Sequence, residues 1–583
     1  MLTPSAIPAR LKTGLEHFLA SIYPGHDAAE LAEHTLAAFF GDTPTRKRAR
    51  VPGNTLWKQN DNYVITYGNT IVDGRHKPLD LLRNFAEKYM GGVFTGIHIL
   101  PFFPFTSDDG FAVTDYREVN GQLGDWEDIT RIAGEFRLMS DLVLNHCSSQ
   151  SKMFTDYLQG HEPYDKFFFE ASPTDDLTAV VRPRTHPLLR EVETASGKRH
   201  VWCTFSHDQV DFDFSNPRVL MEFLDIMRLH VERGVRTFRL DAVAFVWKEI
   251  GTSCIHLRQT HEIIRLMRLL ADFHPEPLVL ITETNVPNAE NLSYFGNRNE
   301  AHMVYNFPLP PLLLHALLNG TSKYLNSWQM AMPPAQLGCT YFNFSASHDG
   351  IGLRPAEGLV PDEEMAEVAK AVGSFGGLVS MRSMSDGTQR PYELNVTLFD
   401  AFKGTCADGP DEFQVERLLC SQAIVMALEG IPAFYIHALL ATPNDYAGVD
   451  KMGYNRAINR KPLDNDELEA ALADPESVTA RVFSTIKSML QVRNRQSAFH
   501  PNATQFTLQL GESLFGFWRQ SLDRAQSVFA ISNVTNREQT VRPFSLNLIG
   551  GDRWQDLLTG DRIESTGPDI VFAPYQTRWI SNR

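Results

Sequence analysis

The sequence has 583 residues, of which 43% are hydrophobic and 21% charged. A soluble chain of this length exceeds one ordinary hydrophobic core and suggests a large domain with smaller ones attached. The net charge of −16 argues against nucleic acid or an anionic membrane as the main partner. It leaves a small anionic ligand open, because a few arginines reverse the field inside a single pocket.

The N-terminal segment lacks the continuous apolar stretch and the cleavage site of a signal peptide, and no apolar stretch has the length of a transmembrane helix. Six cysteines are scattered without the spacing of a metal site. We therefore expect a cytoplasmic protein with free thiols and no bound metal. The cysteines are Cys147, Cys203, Cys254, Cys339, Cys406 and Cys420.

Residues 1–58 have a helical pattern and include a basic stretch, residues 45–50, that we interpret as a solvated surface. From about residue 60, short apolar segments alternate with stretches long enough for a helix. Eight alternating strands predict an α/β fold with a parallel (β/α)8 barrel, the TIM barrel. The eight segments are residues 63–68, 96–105, 138–146, 236–245, 278–284, 303–307, 341–349 and 431–436.

The spacing of the predicted strands is uneven. The third and fourth are about ninety residues apart, far more than one crossover helix needs, which predicts an inserted subdomain at residues 147–212. A second insertion is expected at residues 350–420, and both should border the active site because barrel sites lie on the loops after the strands. The barrel then comprises residues 59–146 and 213–500, and residues 501–583 predict a small C-terminal β-domain.

Two carboxylates follow neighbouring predicted strands. Arg239 and Asp241 end the fourth strand and point to the same face, because strand side chains alternate. We expect Arg239 to lower the pKa of Asp241 and keep it ionised, as a covalent glycosyl intermediate requires. Glu283 ends the fifth strand. Neighbouring strands would hold the two carboxylates at the separation of about 5–5.5 Å that is typical of retaining glycosidases.

Further polar residues follow the third and seventh strands. Asn145 and His146 end the third strand, and His348 and Asp349 follow the seventh. Each feature alone is common, because a strand-end Asp beside an Arg is often a structural ion pair and a histidine is often a core residue. Their occurrence in this order on one predicted barrel indicates an active site.

These segments, DLVLNH, FRLDAVAF, ITETN and ASHDG, resemble the conserved regions of the α-amylase superfamily, glycoside hydrolase family 13. The resemblance covers about residues 60–500. It implies that Asp241 is the nucleophile, Glu283 the general acid/base and Asp349 the transition-state stabiliser. It also implies that the glucosyl ring is bound by Arg239, His146 and His348.

A second set of segments is similar to the sucrose-phosphorylase subfamily, whose members transfer glucose to inorganic phosphate. It includes HILPFFPFTSDDGF, AVVRPRTHPLL, SHDGIGL and YNRAINR. This resemblance implies that Asp108 and Phe111 line the glucose subsite, and that Arg460 pairs with Asp108 there, with Arg456 nearby.

The same resemblance implies that Arg184 and Tyr392 bind phosphate. A planar guanidinium binds phosphate oxygens in bidentate fashion, which gives Arg184 a physical reason for this role. The alternative is that Arg182 and Arg184 are surface charges of the inserted subdomain.

The sequence departs from sucrose phosphorylases around the acceptor, where it has Phe245, Asn285 and Glu393 in place of their usual tyrosine, histidine and glutamine. It resembles instead the glucosylglycerate-phosphorylase branch, in WKEIGTSCIHL, ITETNVP and GYNRAINRK, nearly from end to end. The implied reaction converts 2-O-α-glucosyl-D-glycerate and phosphate to α-glucose 1-phosphate and D-glycerate. The glycerate carboxylate calls for a cation, and our hypothesis is Arg390 or Arg182. Glu393 is unfavourable beside an anion unless an arginine pairs with it.

Three alternatives remain at this point. The same carboxylates would serve a hydrolase or transglucosidase, and only the arginine and tyrosine of the two insertions favour phosphate. Sucrose or sucrose 6-phosphate phosphorylase is a second alternative. A non-catalytic, transporter-associated relative is the third, and it is disfavoured because the carboxylates are retained. None of these reactions needs a cofactor.

Overall fold

The computed structural model describes residues 7–50, 56–184, 186–383, 389–546, 548 and 553–583. Its centre is a closed barrel of eight parallel strands arranged in chain order, so the predicted fold is confirmed. The strands are buried because the apolar barrel interior covers one face and helices cover the other. They are β1 Tyr63–Thr66, β2 Gly96–Ile99, β3 Arg137–Val143, β4 Val235–Asp241, β5 Val279–Thr282, β6 Met303–Tyr305, β7 Thr340–Asn343 and β8 Ile431–Tyr435.

Helices surround the barrel and pack their apolar faces on it. The helix that precedes β4, Pro217–Glu232, shows the local rules: Asn216 accepts a hydrogen bond from the Arg218 amide, and proline occupies the first turn. The other long helices around the barrel are Pro78–Phe85, Trp126–Glu135, Arg258–Phe273, Leu309–Asn319, Lys323–Ala331, Gln414–Ala427, Asn465–Ala473 and Val478–Arg493. No helix in the described part of the chain is both long enough and apolar enough to cross a bilayer.

The N-terminal region is helical, as the sequence predicts. Helix Ala9–Ile22 packs on the barrel helix Arg258–Phe273, and helix Ala28–Phe40 packs on Pro217–Glu232. Asp27 caps the second helix by accepting hydrogen bonds from two backbone amides. Residues 1–6 and 51–55 of this region lie outside the described residues.

Two insertions follow barrel strands at the mouth of the barrel. The first contains helix Lys152–Gln159 and the antiparallel hairpin Leu189–Thr194 and Gly197–Trp202. The second contains helix Asp362–Ser374 and a three-stranded antiparallel sheet. The strands of this sheet are Ile351–Gly352, Leu378–Ser383 and Gln389–Asn395, and residues 384–388 between the last two lie outside the described residues.

The C-terminal region is a β-domain built on a six-stranded sheet, with its own core around Phe529, Trp554 and Ile580. In spatial order the strands are Thr504–Thr507, Leu514–Gln520, Ser527–Asn533, Thr577–Ser581, Trp554–Asp556 and Arg562–Ile563. This domain lies after the last barrel helix, and none of its described residues lines the pocket at the barrel mouth.

A buried lysine joins the first insertion to the barrel. Lys248 Nζ donates to Asn145 Oδ1 at 2.9 Å and to the Phe245 carbonyl at 2.8 Å, and it lies 3.1 Å from Asp211 Oδ2. Asp211 also accepts from Asn145 Nδ2 at 2.9 Å. Because Asp211 belongs to a strand of the insertion that pairs with His146–Ser148, this ammonium fixes the insertion to the ends of β3 and β4.

Replacing Lys248 with methionine should destabilise the protein, because it removes the ammonium and leaves the Asp211 carboxylate buried without a cation. The expected loss is on the order of 3–5 kcal/mol, measured as a lower midpoint of denaturant unfolding. The control is Lys152→Met, because Lys152 is 79% exposed and its ion pair with Asp156 is solvated. Equal midpoints for the two variants would contradict the anchoring role.

Candidate active site

The side chain at the centre of the site is Arg239, on β4. Its Nη1 donates to Asp241 Oδ1 at 2.7 Å and also to Asp141, on the neighbouring strand β3. His98 Nε2, on β2, lies 2.7 Å from the second oxygen of Asp141. All four side chains are buried. The Asp241 carboxylate is therefore oriented by an arginine whose own position is fixed by two further strands.

Glu283 follows β5 and approaches the same guanidinium, with its Oε1 3.9 Å from Arg239 Nη2. The Ala242 amide donates to Glu283 Oε2 at 3.0 Å. Ala242 has a φ of +48°, a left-handed conformation that is uncommon for a residue with a side chain and is typical of functional sites. This turn directs the backbone amide after Asp241 towards Glu283.

Burial raises the pKa of both Asp241 and Glu283, and the charge of Arg239 opposes the rise in each. The expected lowering of the Asp241 pKa is wrong in its net direction, because complete burial outweighs the arginine. Two close carboxylates of this kind share one proton over a wide pH range. The 2.7 Å hydrogen bond from Arg239 to Asp241 favours the ionised form of Asp241, with the proton on Glu283.

Asp349 is held ionised by a different set of cations. Arg456 Nη1 donates to Asp349 Oδ1 at 2.6 Å, and Arg460 Nη2 lies 3.7 Å from the same oxygen. Burial alone would raise the pKa of Asp349, but the charges of Arg456 and Arg460 lower it well below its usual range. The site thus combines a negative charge at Asp349 with two carboxyls, Asp241 and Glu283, whose pKa values are raised by burial.

The inner pocket is formed by the residues that the resemblance assigns to the glucose subsite. Phe111 stacks on His348 with ring centroids 5.2 Å apart, and His146 Nε2 lies 3.1 Å from the Phe111 carbonyl. Asp108 accepts a hydrogen bond from Gln209 Nε2 at 3.1 Å. Burial lowers the pKa of both histidines, so each remains neutral and available for hydrogen bonding.

The expected pairing of Arg460 with Asp108 is wrong, because Arg460 Nη1 binds Asp109 Oδ2, at 2.5 Å. Both aspartates have left-handed backbone conformations, with φ of +54° and +47°. This tight turn sends the Asp108 side chain into the pocket and the Asp109 side chain outward to Arg460 and the Tyr454 hydroxyl. Arg460 therefore supports the pocket from behind.

The outer side of the pocket is lined by residues of both insertions and of the loops that follow β4 and β5. Asn285, Tyr392, Phe245 and Arg184 all line it, as the resemblance implies for three of them. Glu393 is buried, and Arg456 holds both of its oxygens, at 3.0 and 2.7 Å. This ion pair meets the condition under which an acidic residue is tolerated beside an anion site.

The structure places Arg390 away from the pocket, in an ion pair with Asp362 on the far side of the second insertion. The reason is a β-bulge: Ser380 pairs with Glu393 and Met381 with Pro391, so Tyr392 is an extra residue in its strand. A bulge reverses the alternation of side chains before it. Arg182 lies in the wider outer cavity, where it donates to the His186 carbonyl.

Four further side chains of the site were not predicted from the sequence. His98 supports Asp141, Gln209 binds Asp108, Phe205 packs on His146 at 5.2 Å, and Arg354 lines the outer side of the pocket. His98 was detectable as the one polar residue in an apolar strand. Gln209 and Phe205 have long-range partners that no local pattern indicates, and Arg354 reaches the pocket only through the fold of the second insertion.

An eight-stranded barrel with Asp241, Glu283 and Asp349 at its mouth has the arrangement of the α-amylase class of enzymes. In agreement, the model of the α-amylase catalytic domain matches residues 88–347. The solved structure of sucrose 6F-phosphate phosphorylase from Thermoanaerobacter thermosaccharolyticum has a TM-score of 0.72 and 25% sequence identity, and the similarity covers 89% of this chain and 99% of that one.

Two relatives place the chain in a smaller group within this class. A glucosylglycerate phosphorylase of Spirochaeta thermophila is 40% identical over 97% of this chain and 98% of its own length. A glucosylglycerate phosphorylase of Allomeiothermus silvanus is 43% identical over 90% of this chain and 91% of its own. The chain therefore belongs to the α-amylase family and, within it, to the group of the glucosylglycerate phosphorylases.

If Glu283 carries the proton, Glu283→Gln should lower kcat/KM about 10²- to 10⁴-fold for a glycoside whose leaving oxygen needs protonation. The loss should be much smaller for α-glucosyl fluoride, because fluoride leaves without a proton. Glu290→Gln is the matched control, since Glu290 follows in the same loop region, pairs with His256 and does not line the pocket.

The pH dependence should report the same group. Because burial raises the pKa of Glu283, activity should persist above the usual glutamate range and be lost as pH rises through that raised pKa. The alkaline limb of kcat/KM should disappear in Glu283→Gln. An unchanged alkaline limb in this variant would assign the proton to another residue.

Proposed function

We propose that this protein is a retaining glycoside phosphorylase, a hexosyltransferase that converts 2-O-α-glucosyl-D-glycerate and inorganic phosphate to α-glucose 1-phosphate and D-glycerate. The observation that carries the proposal is the near full-length similarity to two glucosylglycerate phosphorylases. It is supported by a pocket in which all three carboxylates are in place and arginines lie at the outer side.

In the first half-reaction, Glu283 donates its proton to the glycosidic oxygen while the Asp241 carboxylate attacks the anomeric carbon. The bond to the glycerate oxygen breaks, glycerate leaves with the proton, and a β-glucosyl ester forms on Asp241. Positive charge develops on the sugar ring in the transition state. The permanently ionised Asp349 lies beside the ring and stabilises that charge.

In the second half-reaction, a phosphate oxygen attacks the same carbon from the side that glycerate has left. The ester bond to Asp241 breaks, the carboxylate is restored, and α-glucose 1-phosphate forms with net retention. Glu283, now ionised, accepts a proton from the phosphate. Arg184 is suited to binding the incoming phosphate, because its guanidinium lines the pocket and can donate two hydrogen bonds to phosphate oxygens.

We also propose that the protein works in the cytoplasm. Its reactant phosphate and its product glucose 1-phosphate are intracellular anions, and the six cysteines are all free thiols.

The proposal is tested by incubating the purified protein with phosphate and, in parallel, glucosylglycerate, glucosylglycerol, sucrose or sucrose 6′-phosphate. The readouts are glucose 1-phosphate and free glucose. We expect glucose 1-phosphate from glucosylglycerate, at a rate that depends on phosphate, and little from the other three. Asp241→Asn is the negative control, because it removes the nucleophile while preserving the size of the side chain.

Two outcomes would contradict the proposal in different ways. If sucrose gave glucose 1-phosphate faster than glucosylglycerate does, the mechanism would stand, but glycerate would not be the preferred acceptor. Free glucose alone, formed at a rate indifferent to phosphate, would mean that water is the acceptor and that Arg184 and Tyr392 do not bind phosphate.

A further inference from the structure

Arg354 occupies a fixed position at the outer side of the pocket. It starts a short turn, Arg354–Ala356, directly after the strand Ile351–Gly352. The Leu353 amide donates to the Tyr392 carbonyl at 3.0 Å, and Gly352 pairs with Glu393. The backbone that carries Arg354 is therefore bound to the strand that carries Tyr392. The side chain is half-buried and lines both the inner pocket and the wider outer cavity.

The charge of Arg354 is not neutralised by the protein, in contrast to its neighbours. Arg239 is compensated by Asp141 and Asp241, and Arg456 is compensated by Asp349 and Glu393. Within the described part of the chain, no carboxylate oxygen lies within 4.0 Å of the guanidinium of Arg354 or of Arg184. The outer side of the pocket thus offers two arginines that are free to bind anions.

The proposed reaction brings two different anions to this side of the pocket. Phosphate is one, and the carboxylate of glycerate is the other. Two unpaired arginines match two anionic groups, and Arg184 is the one suited to phosphate. Arg390, the earlier candidate for the carboxylate, is occupied by Asp362, and Arg182 lies farther out.

The surroundings of Arg354 fit a hydroxy acid. Asn285 lies next to its strand, since a Cβ added to Gly352 would be 3.0 Å from Asn285 Nδ2. Asn285 Oδ1 is buried and has no hydrogen-bond partner among the described residues. A buried acceptor of this kind at the edge of a pocket can accept a hydrogen bond from a bound ligand. The free C3 hydroxyl of 2-O-glucosyl-glycerate is a suitable donor, and only one carbon separates C3 from the carboxylate that Arg354 would bind.

We propose that Arg354 binds the glycerate carboxylate and makes the enzyme select this acid over a neutral polyol of the same size. The inference rests on the proposed function and assigns its acceptor specificity to one residue. A guanidinium binds a carboxylate through two parallel hydrogen bonds, and a neutral polyol gains nothing comparable from the charge.

The test uses the synthetic direction, with α-glucose 1-phosphate as donor and either D-glycerate or glycerol as acceptor. Arg354→Met keeps an unbranched, flexible side chain and removes the guanidinium and its charge. We expect the ratio of kcat/KM for D-glycerate to that for glycerol to fall on the order of 100-fold, mainly through KM for glycerate. Arg354→Lys should recover part of the ratio, because it restores the charge without the bidentate geometry.

Arg382→Met is the matched control. Arg382 lines the same outer cavity, but it is bound by Glu357, so its loss should leave the ratio unchanged. Activity of Arg354→Met with glycerol would show that this variant is folded. Activity of Arg354→Lys with glycerol would show the same for the variant that keeps the positive charge.

The possible failures are distinguishable. If the wild-type protein uses D-glycerate and Arg354→Met keeps the wild-type ratio, the inference about Arg354 is wrong and the proposed function stands. If Arg354→Met loses activity equally with both acceptors, Arg354 has a structural role and the inference is again wrong. If the wild-type protein does not use D-glycerate at all, the proposed function fails and the specificity inference fails with it.

Discussion

The active site depends on the compensation of buried negative charge at the mouth of the barrel. Arg239 is buried between Asp141 and Asp241 and reaches towards Glu283, so one guanidinium serves carboxylates from three consecutive strands. Without it, Asp141 and Asp241 would lose the cation that favours their ionised forms at this buried site. The register between neighbouring strands of the closed barrel sets the positions of these side chains relative to one another, and so determines the geometry of the site.

A second cation extends the same principle towards the acceptor. Arg456 binds Asp349 and Glu393 together, and so joins a residue proposed to stabilise the glucosyl ring to the insertion that borders the acceptor. The acidic residue that made an anionic acceptor doubtful from the sequence is thereby neutralised. Arg184 and Arg354 are left to act on ligands, which makes the outer side of an overall acidic protein locally suitable for phosphate and glycerate.

The sequence predicted the barrel and the carboxylates at the strand ends because both follow from local patterns of apolar segments and their terminal residues. It could not predict the partner of Arg460, which depends on a left-handed turn at Asp108 and Asp109, or the direction of Arg390, which depends on a bulge. The net pKa of Asp241 also escaped prediction, since it depends on how completely the folded chain excludes water. These three features depend on how distant parts of the chain fold together, and the residue types alone do not determine them.

The proposed mechanism depends on a covalent glucosyl ester on Asp241, which phosphate then cleaves. The most direct measurement uses mass spectrometry on Glu283→Gln after reaction with α-glucosyl fluoride, a donor that reacts without acid assistance. The ester then resists hydrolysis, because water has lost its general base, whereas phosphate is already an anion and attacks without one. We predict a mass gain of one glucosyl group on the peptide that contains Asp241, and its discharge by added phosphate as α-glucose 1-phosphate. A label on another residue, or an ester that only water removes, would contradict the mechanism.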